Sequence, residues 1–198
     1  HGRTYNSPAH SLPSARSQGE PLTGRFKPKD GARFVGVVMG GSATKVLLAS
    51  NAGFGFVGPL ADMVTKNKAG KACLSVSAGA EALPPVVIPP LTLESNGGLV
   101  AAVTNQGRLL IFRLTDLPEL SRGKGNKLIN IPGAAFKAGE ENMLAVAVLG
   151  DGDDLIVHAG QRHLTMKRRD YENYIGERAR RGGKLPRGFQ KVDRLSVG

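Results

Sequence analysis

The chain has no tryptophan, one cysteine and three tyrosines in 198 residues, so neither a disulfide framework nor an aromatic-rich core is available to it. The lone Cys73 lies in the apolar run KACLSV, where it reads as a core residue, and a reducing cytoplasm is the natural setting for such a chain. No apolar run approaches the ~20 residues a membrane-spanning helix needs, so no membrane insertion is expected. The start, HGRTY, carries neither a signal sequence nor a lipidation motif and reads as the beginning of a fragment.

Catalytic constellations are also missing. His1, His10, His158 and His163 are scattered, without the spacing of a zinc site. Asp151-Gly-Asp153-Asp154 resembles the start of a calcium loop but lacks its glycine and its terminal glutamate, which leaves a surface turn. Gly123-Lys124-Gly125 and Gly182-Gly183-Lys184 lack the P-loop spacing, and Tyr5, Tyr171 and Tyr174 have no partner base or carboxylate cluster. The sequence therefore predicts no catalytic residue and no metal ligand.

Acidic residues are few: 16 Asp and Glu stand against 27 Lys and Arg, a formal charge of +11. Residues 161–198 hold 11 basic and 4 acidic groups, so most of the excess sits in the last fifth of the chain. Such a surface attracts polyanions by counterion release, which makes nucleic acid the leading partner. An anionic membrane is the runner-up, without an amphipathic basic helix to favour it.

What the chain has in quantity is glycine, 27 residues, with short runs of Val, Leu and Ile between turns. Gly2, Gly53, Gly107 and Gly160 are separated by 51, 54 and 53 residues, and the flanking residues fall into line, with Asn105 over Asn51 and Asp116 over Asp62. A period near fifty signals blades or a solenoid. Three full copies and one partial one are counted, roughly 1–43, 44–97, 98–152 and 153–198, within a single domain over 1–198.

In the second copy four short strands are expected, Val46–Ser50, Phe54–Val57, Lys71–Val76 and Pro85–Ile88, with Asn51-Ala-Gly53 as the first hairpin. Four-stranded units of this size cannot bury both faces alone, so a bladed all-β architecture follows. Two β-sandwiches of two copies each are the competing reading, although no linker separates the middle copies.

Between the second and third strands of each copy lies a polar, basic segment. Its cations are Arg16 in the first copy, Lys66, Lys68 and Lys71 in the second, Arg122, Lys124 and Lys127 in the third, and Arg178, Arg180, Arg181, Lys184 and Arg187 in the fourth. Equivalent loops of successive blades fall on one rim, so these residues form a candidate track for the phosphates of duplex DNA, with the glycines letting backbone N–H groups approach. Such a track reads the backbone and not the bases.

The segments LPSARSQGEPLTG (12–24), LASNAGFGFV (48–57), KNKAGKACL (66–74), PPVVI (84–88), DLPELSRGKGNKLINIP (116–132) and GERARRGGKLPRGFQKVDR (176–194) resemble the C-terminal DNA-binding domains of bacterial type IIA topoisomerase A subunits. The resemblance is closer to the topoisomerase IV branch, ParC, than to gyrase. It implies a β-pinwheel, a propeller-like ring whose blades exchange strands and whose basic outer edge binds and bends duplex DNA. It also implies an A2B2 holoenzyme, cytoplasmic and nucleoid-associated, with an A-subunit cleavage domain and a separate ParE ATPase. ATP and Mg2+ would act in those other parts and no cofactor in this segment.

The gyrase branch carries a box resembling Gln-Arg-Arg-Gly-Gly-Lys-Gly. Arg180-Arg181-Gly182-Gly183-Lys184 matches its middle, while Ala179 and Leu185 replace its ends, and Arg16-Ser-Gln-Gly-Glu20 in the first copy has lost most of the charge. DNA capture for relaxation and decatenation in chromosome segregation is therefore favoured over gyrase-type wrapping. A protein-interaction propeller is the other alternative.

Overall fold

A computed structural model describes all of His1–Gly198. Thirteen short strands make up the chain: β1 (Arg3–Thr4), β2 (Lys45–Ser50), β3 (Phe54–Pro59), β4 (Lys71–Ala72), β5 (Val86–Ile88), β6 (Leu99–Thr104), β7 (Arg108–Arg113), β8 (Asn126–Lys127), β9 (Met143–Leu149), β10 (Leu155–Ala159), β11 (Arg162–Met166), β12 (Gly183–Lys184) and β13 (Arg194–Val197). Helices are limited to single turns such as Pro90–Glu94 and Gly133–Lys137, in keeping with a sequence punctuated by proline and glycine.

The strands form antiparallel sheets in the orders β5-β2-β3-β8, β9-β6-β7-β12, β13-β10-β11 and β1-β4. Each of the three larger sheets is seeded by a hairpin of adjacent strands, β2–β3, β6–β7 or β10–β11. Asn51 and Asn105 do more than shape these turns. Their side-chain oxygens accept from the N–H groups of Glu81 and Asn142, and their own N–H groups donate to the carbonyls of the same two residues. The hairpin is thereby tied to the segment that leads into the fourth strand of its own copy.

The strand expected over Lys71–Val76 is the main correction. Only Lys71–Ala72 is strand, and it pairs with β1 of the copy before; β8 joins β3 and β12 joins β7 in the same way. The third strand of each of these copies thus completes its predecessor's sheet. It is short because the chain then turns inward: the N–H groups of Cys73 and Leu74 donate to Gly2, and both side chains enter the core.

Successive sheets face one another. Leu47, Ala49, Val57 and Ile88 of the second copy pack on Val100, Ala102, Leu110 and Phe112 of the third. Leu99, Ala101, Val103 and Ile111 on the opposite face of the third pack on Leu155, Val157 and Met166 of the fourth. The middle sheets are therefore buried on both sides, which rules out the two-sandwich reading and explains why β6, LVAAVT, has no polar alternation. The strands β5, β9 and β13 pack against one another at one edge of the sheets, and β4, β8 and β12 lie at the other. The first set forms a hub and the second a rim.

Candidate nucleic-acid interface

The basic segments lie on the rim because of how the exchanged strand reaches its neighbour. In the third copy, residues 118–120 first run parallel to β3, with the N–H of Leu120 donating to Val57 and that of Val57 to Pro118. The chain then reverses through residues 121–125 and pairs antiparallel with Phe54 and Gly55. The reversal is the loop that carries Arg122 and Lys124. The fourth copy repeats this course, with Ile175 beside Ile111 before Gly183 and Lys184 join β7.

Neighbouring rim segments are laced together. The carbonyls of Lys68, Gly123 and Arg180 occupy equivalent places, and each accepts an N–H from the preceding copy, those of Lys27, Ser75 and Asn130. The rim is thus a continuous belt across three junctions. This arrangement corrects the expected role of the glycines. The Gly123 N–H donates to Cys73, and Gly70, Gly125 and Gly182, with φ of +75°, +76° and +75°, are the points where the chain crosses its neighbour's backbone. A Cβ on Gly125 would stand 2.0 Å from the Gly55 carbonyl oxygen, and one on Gly182 would stand 2.7 Å from that of Leu109. Close crossing requires these glycines, whereas a phosphate cradle does not explain them.

The twelve cations fall into two groups. Arg16, Lys66, Lys68, Arg122 and Arg187 are exposed or nearly so and form no ion pair, and Lys71 is half-buried at the edge of β4, also without one. Arg180 has an exposed side chain that pairs with the equally exposed Glu177 at 2.6 Å, a contact that water and salt screen. These seven side chains are open to a ligand.

The other five hold the rim together. Lys124 lies 3.9 Å from the centroid of the Phe54 ring, a cation–π contact across the junction of the second and third copies, and Lys127 donates to the Asn130 side chain. Arg178 donates to the Lys127 carbonyl and Lys184 to the Gln106 carbonyl. Arg181 makes two hydrogen bonds to the buried Glu141, at 2.6 and 2.7 Å, and a third to the Asn130 carbonyl. The arginine-glycine box of the fourth copy is therefore largely an inter-blade strut.

Several residues of this strut system escape a sequence reading. Arg3 and Arg108, each following a hairpin glycine, donate to carbonyls of the next copy's crossing segment, Ala69 and Gly70 for Arg3 and Gly182 for Arg108. Phe54 holds the same place in the second copy and meets Lys124 instead, so the shared position is visible in the repeat although its purpose is not. Glu141 carries no such signal. Burial alone would raise its pKa, but the hydrogen bonds from Arg181 and Thr104 and the charges of Arg181 and Arg108 hold it below the usual 4.5. Tyr174, whose pKa burial pushes up, packs over Gly183 and donates to the Lys184 carbonyl, fixing the last exchanged strand.

Residues 99–159 match the family described as the DNA gyrase C-terminal domain, beta-propeller. The chain is 50% identical over 196 residues to the A chain of DNA topoisomerase 4 from Pseudomonas aeruginosa, and 42% identical over 196 residues to that of Escherichia coli. These alignments take in 99% of this chain and 26% and 25% of the relatives, so the chain spans about a quarter of their length. The structure of the E. coli ParC C-terminal domain superposes with a TM-score of 0.86 at 41% identity, covering 100% of this chain and 78% of that one. A DNA gyrase A C-terminal domain, at 16% identity, shares the fold with a TM-score of 0.66 over 87% of this chain and 57% of that one. With strands exchanged from blade to blade, a laced basic rim and this similarity over its whole length, the chain belongs to the family of ParC C-terminal domains, the β-pinwheels of bacterial topoisomerase IV A subunits.

Proposed function

We propose that this chain is a non-catalytic module that binds and bends duplex DNA along its rim. The observation that carries the reading is the rim itself: a hydrogen-bonded belt on which Lys66, Lys68 and Arg122, on consecutive copies, stand exposed without an acidic partner. Cations on a rigid curved belt favour a bent duplex, and the elastic cost of bending, on the order of 1–6 kcal/mol, is offset by the phosphate contacts it adds. Sequence preference is not expected, since nothing on the belt is shaped to enter a groove.

Within a whole topoisomerase IV, such a module would present DNA segments to the cleavage domain and the ParE ATPase during ATP-dependent relaxation and decatenation. No group of three or more His, Cys, Asp or Glu side chains could hold a metal ion, and neither glycine-lysine loop has triphosphate-binding spacing. ATP and Mg2+ therefore do not fit the residues present. Gyrase-type wrapping is the weaker reading, because Arg181 and Lys184 of the box face the neighbouring copy.

Replacing Lys66, Lys68 and Arg122 together with Ala is expected to weaken binding equally for unrelated duplex sequences. It should also flatten the log–log salt dependence by ~0.9 for each phosphate no longer neutralised. An unchanged slope would remove the belt from the DNA path and favour a protein-interaction propeller.

A further inference from the structure

The far face of the fourth sheet departs from the internal faces of the stack. The second copy turns Leu47, Ala49, Val57 and Ile88 toward the third, and the third turns Leu99, Ala101, Val103, Leu109 and Ile111 toward the fourth. On the fourth sheet, the residues that face away from the third copy are Ile156, His158, His163, Thr165, Arg194 and Ser196, as the alternation with core residues Leu155, Val157 and Met166 requires. Only one of the six is apolar. A blade packed there would bury two histidines and an arginine against aliphatic surface, at a desolvation cost no core would repay.

The pairing registers make this face a row. His163 lies opposite His158, and His158 opposite Arg194, so three nitrogen-rich side chains cross three strands. Two inter-strand spacings give the row a length of roughly 10 Å. The histidine rings are 6.3 Å apart, and His158 Nε2 and the Ser196 hydroxyl share a 2.8 Å hydrogen bond. The nearby carboxylate of Asp193 accepts the Gly160 N–H. Thr165 and Ser196, on the adjoining row, add hydroxyl donors.

We infer that the outward face of the β10–β11–β13 sheet is a second contact surface for the sugar–phosphate backbone of duplex DNA, separate from the rim and centred on His163, His158 and Arg194. The row is long enough to meet about three phosphates of one strand, which recur every ~3.4 Å along the helix axis. It extends the rim reading and rests on it: DNA leaving the rim at the fourth copy meets a basic end face instead of an apolar blade.

The contact is sensitive to pH. Burial, and then the charges of Arg194 and His163, depress the His158 pKa below 6.5, against an opposing pull from Asp193. His158 is thus neutral at neutral pH and gains charge as the solution becomes acidic, so this face should hold phosphate more strongly near pH 6 than near pH 8.

The test measures binding of a short blunt duplex of mixed sequence across a salt series at pH 6 and pH 8. It uses the unmodified chain, a His163→Gln/Arg194→Ala variant, an Arg194→Lys variant and the rim variant Lys66→Ala/Lys68→Ala/Arg122→Ala. The double variant should bind roughly eightfold more weakly in ~0.1 M salt for every phosphate it fails to neutralise, with a slope smaller by ~0.9 for each and a larger deficit at pH 6. Arg194→Lys should retain most of the affinity. Unchanged affinity and slope in the double variant at both pH values would overturn the inference. So would an end face that mediates dimerisation, seen as a monomer–dimer equilibrium abolished in the variant while DNA binding stays intact. A rim variant with full affinity would instead sink the rim reading, and the two failures are distinguishable because different variants report them.

Discussion

At the scale of single residues, the clearest division is between cations that face solvent and cations that face the next copy. Arg181 and Glu141 show the second kind: a bidentate pair in which the carboxylate is only 4% exposed and the guanidinium 33%. Removing one partner leaves the other buried without compensation, so Arg181→Ala is expected to lower the unfolding free energy by about 3 kcal/mol, the low end of the range for buried pairs because Arg181 keeps some solvent. Urea unfolding would measure it, and a variant of unchanged stability would return Arg181 to the DNA-facing group. The pair also sets a pH dependence. Glu141 is depressed in the folded state, so its contribution is complete above the unfolded value near 4.5 and is lost as pH falls through the folded one. Glu141→Gln should be less stable at neutral pH and should show a shallower further loss below pH 4.5, measured by urea unfolding across a pH series.

At the scale of elements, the exchanged strands depend on glycine for two separate reasons that substitution can separate. Gly125 and Gly152 share a positive φ, +76° and +80°, but a Cβ at Gly125 meets the backbone of Gly55, whereas one at Gly152 meets nothing within 4 Å. Gly152→Ala is expected to cost about 1 kcal/mol, the left-handed penalty alone. Gly125→Ala should cost at least ~3 kcal/mol, since the crossing itself must open. Equal destabilisation on thermal unfolding would show that close approach at Gly125 carries no weight. The hairpins, the period and the apolar faces are legible in the sequence because they follow from local pattern: Asn51-Ala-Gly53, the recurrent glycines and the unbroken LVAAVT. The destination of the third strand is not legible from pattern, because Lys71–Ala72 would pair equally well with its own sheet and only the family resemblance points to exchange. Charge is legible as a total, but not its division, since Arg180 and Arg181 look alike until Glu141 is placed beside the second.

At the scale of the whole molecule, every junction combines a shared apolar core, an exchanged strand or a belt hydrogen bond, so the copies are not independent units. Stacked repeats often unfold piecewise, but here removal of one copy takes a strand from another. Urea unfolding followed by tyrosine fluorescence, which reports mainly on the first and last copies, and by far-UV circular dichroism should give one coincident transition; separated midpoints would refute this coupling. The same backward exchange has a consequence during synthesis. β3 ends at Pro59, but its partner strand begins only at Asn126, 67 residues later. At ribosomal rates of roughly 5–20 residues per second, a nascent sheet waits some seconds with one edge unpaired, a natural opening for chaperones or for misjoined neighbours.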